Sequence, residues 1–373
     1  MNDIYVNIPS LNDKEYVNTI KRMFETADDP DNIYVGSSIF WKKEDLHNNH
    51  GAFLLEIERQ LSNFNNVSFD VLPWHKYPGI GYGRTESTKH FNNQKYFMSI
   101  DSHTIFSDGW DSKAKSHYHE TEKEFGRKRI ITSYLPGATK KNEKDLDNSI
   151  EQYRREQYHL SYLYKWPIYT FNENSFPYQK TAHIFPCPWD ITLSDDSEIF
   201  RDNKIYYPAN KINANFYFTE SDPWVTEYNI CLDPRIAFWL EEFYQSSISY
   251  SLGYQFVFTK EIFMWHIYNH STTVEIEKST IDRKEKIEPR CYPEFKEELS
   301  IDEKNYVYQK YIRGNQGLVT QLVDNDIARE LYEKDFSDFP RSLSGYLKYC
   351  GVDLKTRKTR PWNEVAIANV LYK

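Results

Sequence analysis

Strands and helices alternate along the first hundred residues, and this order constrains the fold more than any other feature. Ile4–Ser10 is rich in β-forming residues, Lys14–Ala27 carries an apolar stripe of helical period, and Asn32–Phe40 is again β-rich. A further run follows at Lys95–Ile100. Such repeated units predict an α/β protein with a mostly parallel central sheet flanked by helices. Ligands bind these sheets at the carboxyl ends of the strands.

Several functional classes are disfavoured by what the sequence lacks. No G-x-G-x-x-G follows the first strand, and no G-x-x-x-x-G-K-[ST] occurs, so neither common nucleotide-binding fingerprint is present. The formal net charge of −9 disfavours a general polyanion-binding surface. No apolar run is long enough to cross a bilayer, and the first residues lack the features of a signal peptide. We therefore expect a cytoplasmic protein with no membrane partner.

A carboxylate and an imidazole stand at the end of an apolar strand. Phe97–Ile100 is followed by Asp101, Ser102 and His103. With one residue between them, Asp101 and His103 point to the same side of an extended chain. Together they can coordinate Mn²⁺ or Mg²⁺, with phosphate oxygens filling the remaining positions. A structural hydrogen bond between the two side chains is the alternative interpretation.

Two later segments offer further polar groups among apolar residues. The aromatic run Phe263–His270 contains His266, which is either a third metal ligand or a hydrogen-bonded core histidine. Glu241 and Glu242 lie in the helical stripe Ala237–Leu252. Acidic residues in a first helical turn favour the helix dipole. Alternatively, one of the two carboxylates faces a substrate hydroxyl or a sugar.

These segments resemble the cytoplasmic polypeptide α-N-acetylglucosaminyltransferases that modify hydroxyproline, a family similar to the mucin-type polypeptide N-acetylgalactosaminyltransferases. The most specific match is YFMSIDSHTIFSDGWD, which is similar to the family's metal motif almost residue for residue. The opening strand–helix–strand, Arg84 after a Gly-rich loop, LDPRIAFWLEEFYQSSISYSLGYQF and the closing helix Arg341–Leu354 are also similar. Two positions differ, because Leu240 replaces the family's Gly and Ile248 replaces its Arg.

The resemblance implies a GT-A glycosyltransferase fold. Its nucleotide-sugar-binding half would span residues 1–140, its acceptor-binding half 141–270, and a mainly helical C-terminal region 271–373. It also implies a metal-dependent transfer of a hexosyl, N-acetylhexosaminyl or pentosyl group from a nucleotide diphosphate-sugar, with UDP-sugar as the expected donor. The acceptor would be a protein hydroxyl, and the anomeric configuration would be retained.

The resemblance also assigns roles to individual residues. Mn²⁺ or Mg²⁺ would be held by Asp101, His103 and His266, and the donor would contact Ser10, Arg84 and Asp101. Of the two candidate catalytic carboxylates, Glu241 and Glu242, one would orient the acceptor and the sugar.

Two other functions stay open at this point. A bacteriophage-type enzyme could glycosylate a hydroxymethylated pyrimidine in DNA, and the abundant aromatic side chains could then stack on a flipped base. A non-catalytic nucleotide-sugar-binding module is the other alternative, since Leu240 and Ile248 stand where sugar and acceptor would be held. The intact metal motif argues against such a loss of activity.

Overall fold

The computed structural model describes residues 3–41 (except 12 and 14), 57–73, 79–140, 158–166, 191–193, 203–227, 233, 234, 236, 240–267, 330, 335, 337–353 and 358–359. The strands are β1 (Ile4–Leu11), β2 (Ile33–Trp41), β3 (Val67–Pro73), β4 (Tyr96–Ile100), β5 (Thr104–Phe106), β6 (Arg129–Thr132), β7 (Gly137–Lys140), β8 (Tyr158–Leu160), β9 (Tyr164–Trp166), β10 (Ile191–Leu193), β11 (Tyr206–Ala209), β12 (Phe216–Glu220), β13 (Gln255–Thr259), β14 (Met264–Ile267), β15 (Val352–Asp353) and β16 (Lys358–Thr359). The helices are α1 (Tyr16–Thr26), α2 (Ile80–Thr88), α3 (Trp110–Glu120), α4 (Glu122–Phe125), α5 (Glu241–Ser251) and α6 (Leu343–Tyr349).

Eight strands form the central sheet, in the order β11-β13-β6-β12-β4-β1-β2-β3. Strands β4, β1, β2 and β3 are parallel neighbours, and β13 is parallel to β6. Strand β12 runs antiparallel to both β4 and β6, and β11 runs antiparallel to β13. Six of the eight strands therefore point the same way. The α/β fold with a mostly parallel central sheet and flanking helices, predicted from the sequence, is confirmed.

Helices cover both faces of the parallel part of this sheet, which explains why its strands are almost continuously apolar. All five residues of β4 are buried. On one face, α1 contributes Tyr16, Ile20, Met23 and Phe24 to the core. On the other face, α2 lies so close that a Cβ on Gly36 would meet the Ser87 carbonyl at 2.7 Å. The sheet is thus buried on both sides, and its open ends are where a ligand can reach it.

A second sheet of four strands, in the order β5-β14-β7-β8, extends from the end of β4. Strand β14 lies between β5 and β7, with His266 opposite Thr104 on one side and Gly137 on the other. The backbone N–H of Ile267 donates to the carbonyl of His103 at 3.0 Å. This sheet therefore brings a segment that is far away in sequence next to the residues that follow β4.

The three-part division of the chain at residues 140 and 270 stays a prediction. Residues 141–157 lie outside the described residues, as does most of 271–373, although helix α6 is described. Within the described part of the chain, no helix combines the length and the apolar character needed to span a membrane.

Candidate metal centre

The turn between β4 and β5 carries the first two predicted ligands, Asp101 and His103, and helix α1 holds this turn in place. The hydroxyl of Thr19 donates to the carbonyl of Ser102 at 2.9 Å, and it accepts the backbone N–H of Thr104 at 3.1 Å. The Thr104 hydroxyl also donates to the carbonyl of Asp101 at 2.9 Å. Because these hydrogen bonds fix the backbone of the turn, the side chains of Asp101 and His103 are held in a defined arrangement.

Asp101, His103 and His266 converge at this turn, each with one ligand atom within 4.8 Å of the others. Nε2 of His266 lies 2.9 Å from Nε2 of His103 and 3.1 Å from Oδ2 of Asp101. Adjacent ligands of an octahedral ion, each about 2.1 Å from it, are about 3.0 Å apart, whereas tetrahedral ligands are about 3.4 Å apart. The two separations therefore match adjacent ligand positions around an octahedral divalent cation. Two imidazole nitrogens and one carboxylate oxygen form a mixed donor set for such an ion.

The cluster is open to solvent mainly through its carboxylate. The side chain of Asp101 is 26% exposed, whereas that of His266 is 10% exposed. An incoming ligand can therefore reach the cluster from the Asp101 side. Among the described residues, this is the one group of three acidic, histidine or cysteine side chains arranged to hold an ion. That these residues bind a metal stays a prediction.

Arg84 lies behind Asp101, buried on α2. Its Nη2 donates to Oδ1 of Asp101 at 3.2 Å and to the carbonyl of Ala214 at 2.8 Å. Its Nη1 donates to the carbonyl of Ile100 at 2.8 Å, and its Nε donates to Oε1 of Glu241 at 2.9 Å. These contacts orient Asp101 from behind. The predicted contact of Arg84 with the donor stays a prediction.

Charge interactions stabilise the ionised forms of Asp101 and Arg84. Burial disfavours the Asp101 carboxylate, but the hydrogen bond from His266 and the charge of Arg84 outweigh burial and hold the pKa of Asp101 far below its usual range. Burial likewise disfavours the guanidinium, yet Glu241 and Asp101 raise the pKa of Arg84. Asp101 is therefore ready to act as an anionic ligand at neutral pH.

The two adjacent glutamates at the start of α5 have different partners. Glu241 is 4% exposed and pairs with Arg84; burial raises its pKa to about 7, although the charge of Arg84 lowers it. Glu242 accepts from Nζ of the buried Lys211 at 2.9 Å and from the backbone N–H of Ala214 at 3.1 Å. Both lie in the first turn of the helix, where the dipole favours them. Only Glu241 is connected to the metal cluster through Arg84.

Asp13 is a residue of the centre that the sequence analysis missed. Its Oδ2 lies 2.7 Å from Nδ1 of His103 and accepts from the Ser102 hydroxyl at 2.6 Å. Burial disfavours the imidazolium, but the hydrogen bond and charge of Asp13 outweigh burial and raise the pKa of His103. In the sequence, Asp13 is recognisable only as a carboxylate just after β1, and its relevance to His103 follows from the pairing of β1 with β4 in the structure.

Ser10, predicted to contact the donor, lies near the end of β1 opposite Ile39. It is buried, and among the described residues its hydroxyl makes no hydrogen bond. The structure therefore does not connect Ser10 to the cluster, and its contact with a donor stays a prediction.

Residues 42–354 match the family described as Glycosyltransferase (GlcNAc). This is well over half of the 373-residue chain. The chain belongs to this glycosyltransferase family. In this family member, the matched region contains the three residues of the metal cluster together with Arg84 and Glu241, whereas Asp13 precedes it. No curated protein sequence matches the chain.

Solved structures similar to this glycosyltransferase family member include GalNAc-T7 with UDP, GalNAc and Mn²⁺, with a TM-score of 0.48 and 12% identity. That match covers 93% of this chain and 56% of the GalNAc-T7 chain, so the chain spans about half the length of that protein. Residues 1–349 of S. aureus TarS match with a TM-score of 0.39 and 10% identity, covering 82% of this chain and 69% of that one. A longer S. aureus TarS structure matches with a TM-score of 0.40 and 10% identity, covering 83% and 43%.

Proposed function

We propose that this chain is a divalent-metal-dependent glycosyltransferase that moves a sugar from a nucleoside diphosphate to a hydroxyl group. The convergence of Asp101, His103 and His266 in a member of a glycosyltransferase family is the observation that carries the proposal. The cluster follows the carboxyl end of β4, the edge at which parallel sheets bind ligands. Mn²⁺ or Mg²⁺ bound there would neutralise the negative charge that develops on a diphosphate leaving group. UDP-sugar is the proposed donor because the resembled family implies it.

The residues around the cluster have distinct roles in this proposal. Arg84 and Glu241 act as a buried ion pair that holds Asp101 in its ligand position. Such preorganisation lets a site stabilise developing charge without rearranging during the reaction. Glu242 anchors the Lys211–Ala214 segment to α5 through a salt bridge and a backbone hydrogen bond. Glu241 is therefore the glutamate that we propose to matter for transfer.

The proposed acceptor is a hydroxyl of a cytoplasmic protein, such as hydroxyproline, Ser or Thr, and transfer is proposed to retain the anomeric configuration. The acidic net charge of −9 favours a protein acceptor over DNA. Leu240 and Ile248, the two departures from the resembled family, are both buried at α5. Apolar side chains at these positions would change the contacts with sugar or acceptor. We therefore propose that either the transferred sugar or the acceptor differs from that of the resembled family.

A donor screen tests the proposed function. Purified protein is incubated with UDP-GlcNAc, UDP-GalNAc, UDP-glucose or UDP-xylose, and release of UDP is measured with Mn²⁺, with Mg²⁺ and with EDTA. We expect metal-dependent release from at least one UDP-sugar and none with EDTA. GDP-mannose serves as the control for recognition of the base. Donor binding without release, in the presence of Mn²⁺ and candidate peptide acceptors, would instead indicate a non-catalytic binding module.

Replacing His266 with alanine separates a metal ligand from a core histidine. As a ligand, His266 contributes one of three protein donors, so His266→Ala should raise the Mn²⁺ concentration for half-maximal activity by roughly tenfold or more. Excess Mn²⁺ should partly restore the rate. The measurement is a Mn²⁺ titration of UDP release together with the melting temperature of the metal-free protein.

The matched control is His117→Ala, which removes another buried histidine, one that contacts Tyr206 at 2.9 Å. This control should lower the melting temperature while leaving the Mn²⁺ midpoint unchanged. If His266→Ala behaves in the same way, His266 is a core residue, and only Asp101 and His103 remain as ligands.

A further inference from the structure

We infer that Asp13 is a positioning residue of the metal centre, which fixes His103 so that Nδ1 carries the proton and Nε2 faces the ion. The inference rests on the proposed metal-dependent function and adds to it a residue outside the predicted ligand set. In this role Asp13 acts through His103, the ligand histidine that it contacts.

The contacts of Asp13 define this role. Asp13 is 5% exposed. The backbone N–H of Glu15, two residues further along the chain, donates to its Oδ1 at 2.9 Å. Oδ2 then faces the ligand turn, where it accepts from the Ser102 hydroxyl and contacts Nδ1 of His103. One carboxylate therefore fixes two consecutive residues of the turn that carries the metal motif.

The proton arrangement follows from the chemistry of these groups. An ionised carboxylate is only an acceptor, so Nδ1 of His103 must be the donor in this 2.7 Å contact. In the neutral ring that a metal ligand requires, the lone pair then lies on Nε2, the atom that is 2.9 Å from Nε2 of His266. Nε2 is also the atom that the cluster needs for coordination. Carboxylates bonded to the second nitrogen of a ligand histidine fix its tautomer and its ring orientation in this way.

The substitution Asp13→Asn tests the inference because it keeps the shape and removes the second acceptor. If the amide nitrogen faces His103, it favours the tautomer with the proton on Nε2, which blocks coordination. If it faces Glu15, it meets a backbone N–H. The dissociation constant for Mn²⁺ alone is measured from the electron paramagnetic resonance signal of the free ion. We expect it to rise by about tenfold to a hundredfold, the range found for outer partners of metal ligands.

The control is Asp111→Asn, another buried aspartate, which accepts the backbone N–H groups of Asp28 and Asp29. It should leave Mn²⁺ affinity unchanged. If the wild-type protein binds no Mn²⁺, the proposed metal-dependent function fails. If the wild type binds Mn²⁺ and Asp13→Asn binds it equally well, the metal centre stands and the role of Asp13 is overturned.

A second measurement needs no substitution at Asp13 and covers the case in which Asp13→Asn does not fold. The tautomer of His103 is determined from ¹⁵N chemical shifts of histidine-labelled wild-type protein loaded with diamagnetic Mg²⁺, with the signal assigned by His103→Gln. A proton on Nδ1 is the expected result. A proton on Nε2 alone would overturn the inference.

Discussion

Replacing Asp101 with alanine is expected to lower the rate of sugar transfer by at least about a thousandfold, roughly 4 kcal/mol in the activation barrier. Asp101 supplies the anionic oxygen of the cluster, 3.1 Å from Nε2 of His266. The hydrogen bond from His266 and the charge of Arg84 lower the pKa of Asp101 despite burial, which favours the anionic form that a metal ligand needs. His103→Ala should have an effect of similar size, since it removes the ligand that Asp13 holds. Rates are measured at saturating Mn²⁺, with the melting temperature as a check on folding.

Asp70→Ala is the matched control for this experiment. Asp70 is a more exposed aspartate on β3 that pairs with His90, so its loss should leave transfer near the wild-type rate. If a well-folded Asp101→Ala variant keeps more than about a tenth of the wild-type rate, about 1.4 kcal/mol in the barrier, Asp101 is not an essential ligand.

The central sheet could be predicted because its pattern is local. Strands buried on both faces are apolar along their whole length, and the intervening helix shows its stripe every three to four residues, so both can be read from short windows. Strand β4 and the polar turn after it could be predicted in this way, because all five residues of β4 are buried and Asp101 follows directly. Their convergence with His266 depends on the pairing of β14 with β5, which only the folded chain specifies.

The supporting residues could not be predicted because their partners are distant in sequence. Asp13 and His103 are 90 residues apart and meet because β1 and β4 are parallel neighbours. Adjacency in sequence was equally uninformative for Glu241 and Glu242, because successive helical residues point about 100° apart. Glu241 pairs with Arg84, and Glu242 pairs with Lys211. The sequence left open which of the two carboxylates serves the site, and the structure gives each carboxylate its own cation.

Substitution of Arg84 by lysine should reduce transfer by about a hundredfold or more and destabilise the fold by about 3 kcal/mol. A lysine keeps the charge but has one nitrogen, so it cannot bridge Glu241 and Asp101 while also binding two backbone carbonyls. Glu241 or Asp101 would then lose its buried partner. The matched control is Arg129→Lys, since Arg129 is another buried arginine, and it donates to the carbonyls of Tyr118 and Gly126. That control should lose stability without losing activity per folded molecule.

A double-mutant cycle decides whether Arg84 acts through its ion pair with Glu241. Arg84→Lys and Glu241→Gln each disturb the same 2.9 Å contact, so the double variant should be less damaged than the sum of the single variants. We expect a coupling energy of about 1–3 kcal/mol in both stability and activation barrier, as for other residues in one buried network. Glu242→Gln paired with Arg84→Lys should show a smaller coupling, because Glu242 pairs with Lys211 and shares with Arg84 only a contact with the backbone of Ala214. Additive losses for Arg84 and Glu241 would mean that each serves the site separately, and the proposed support of Asp101 through this pair would be wrong.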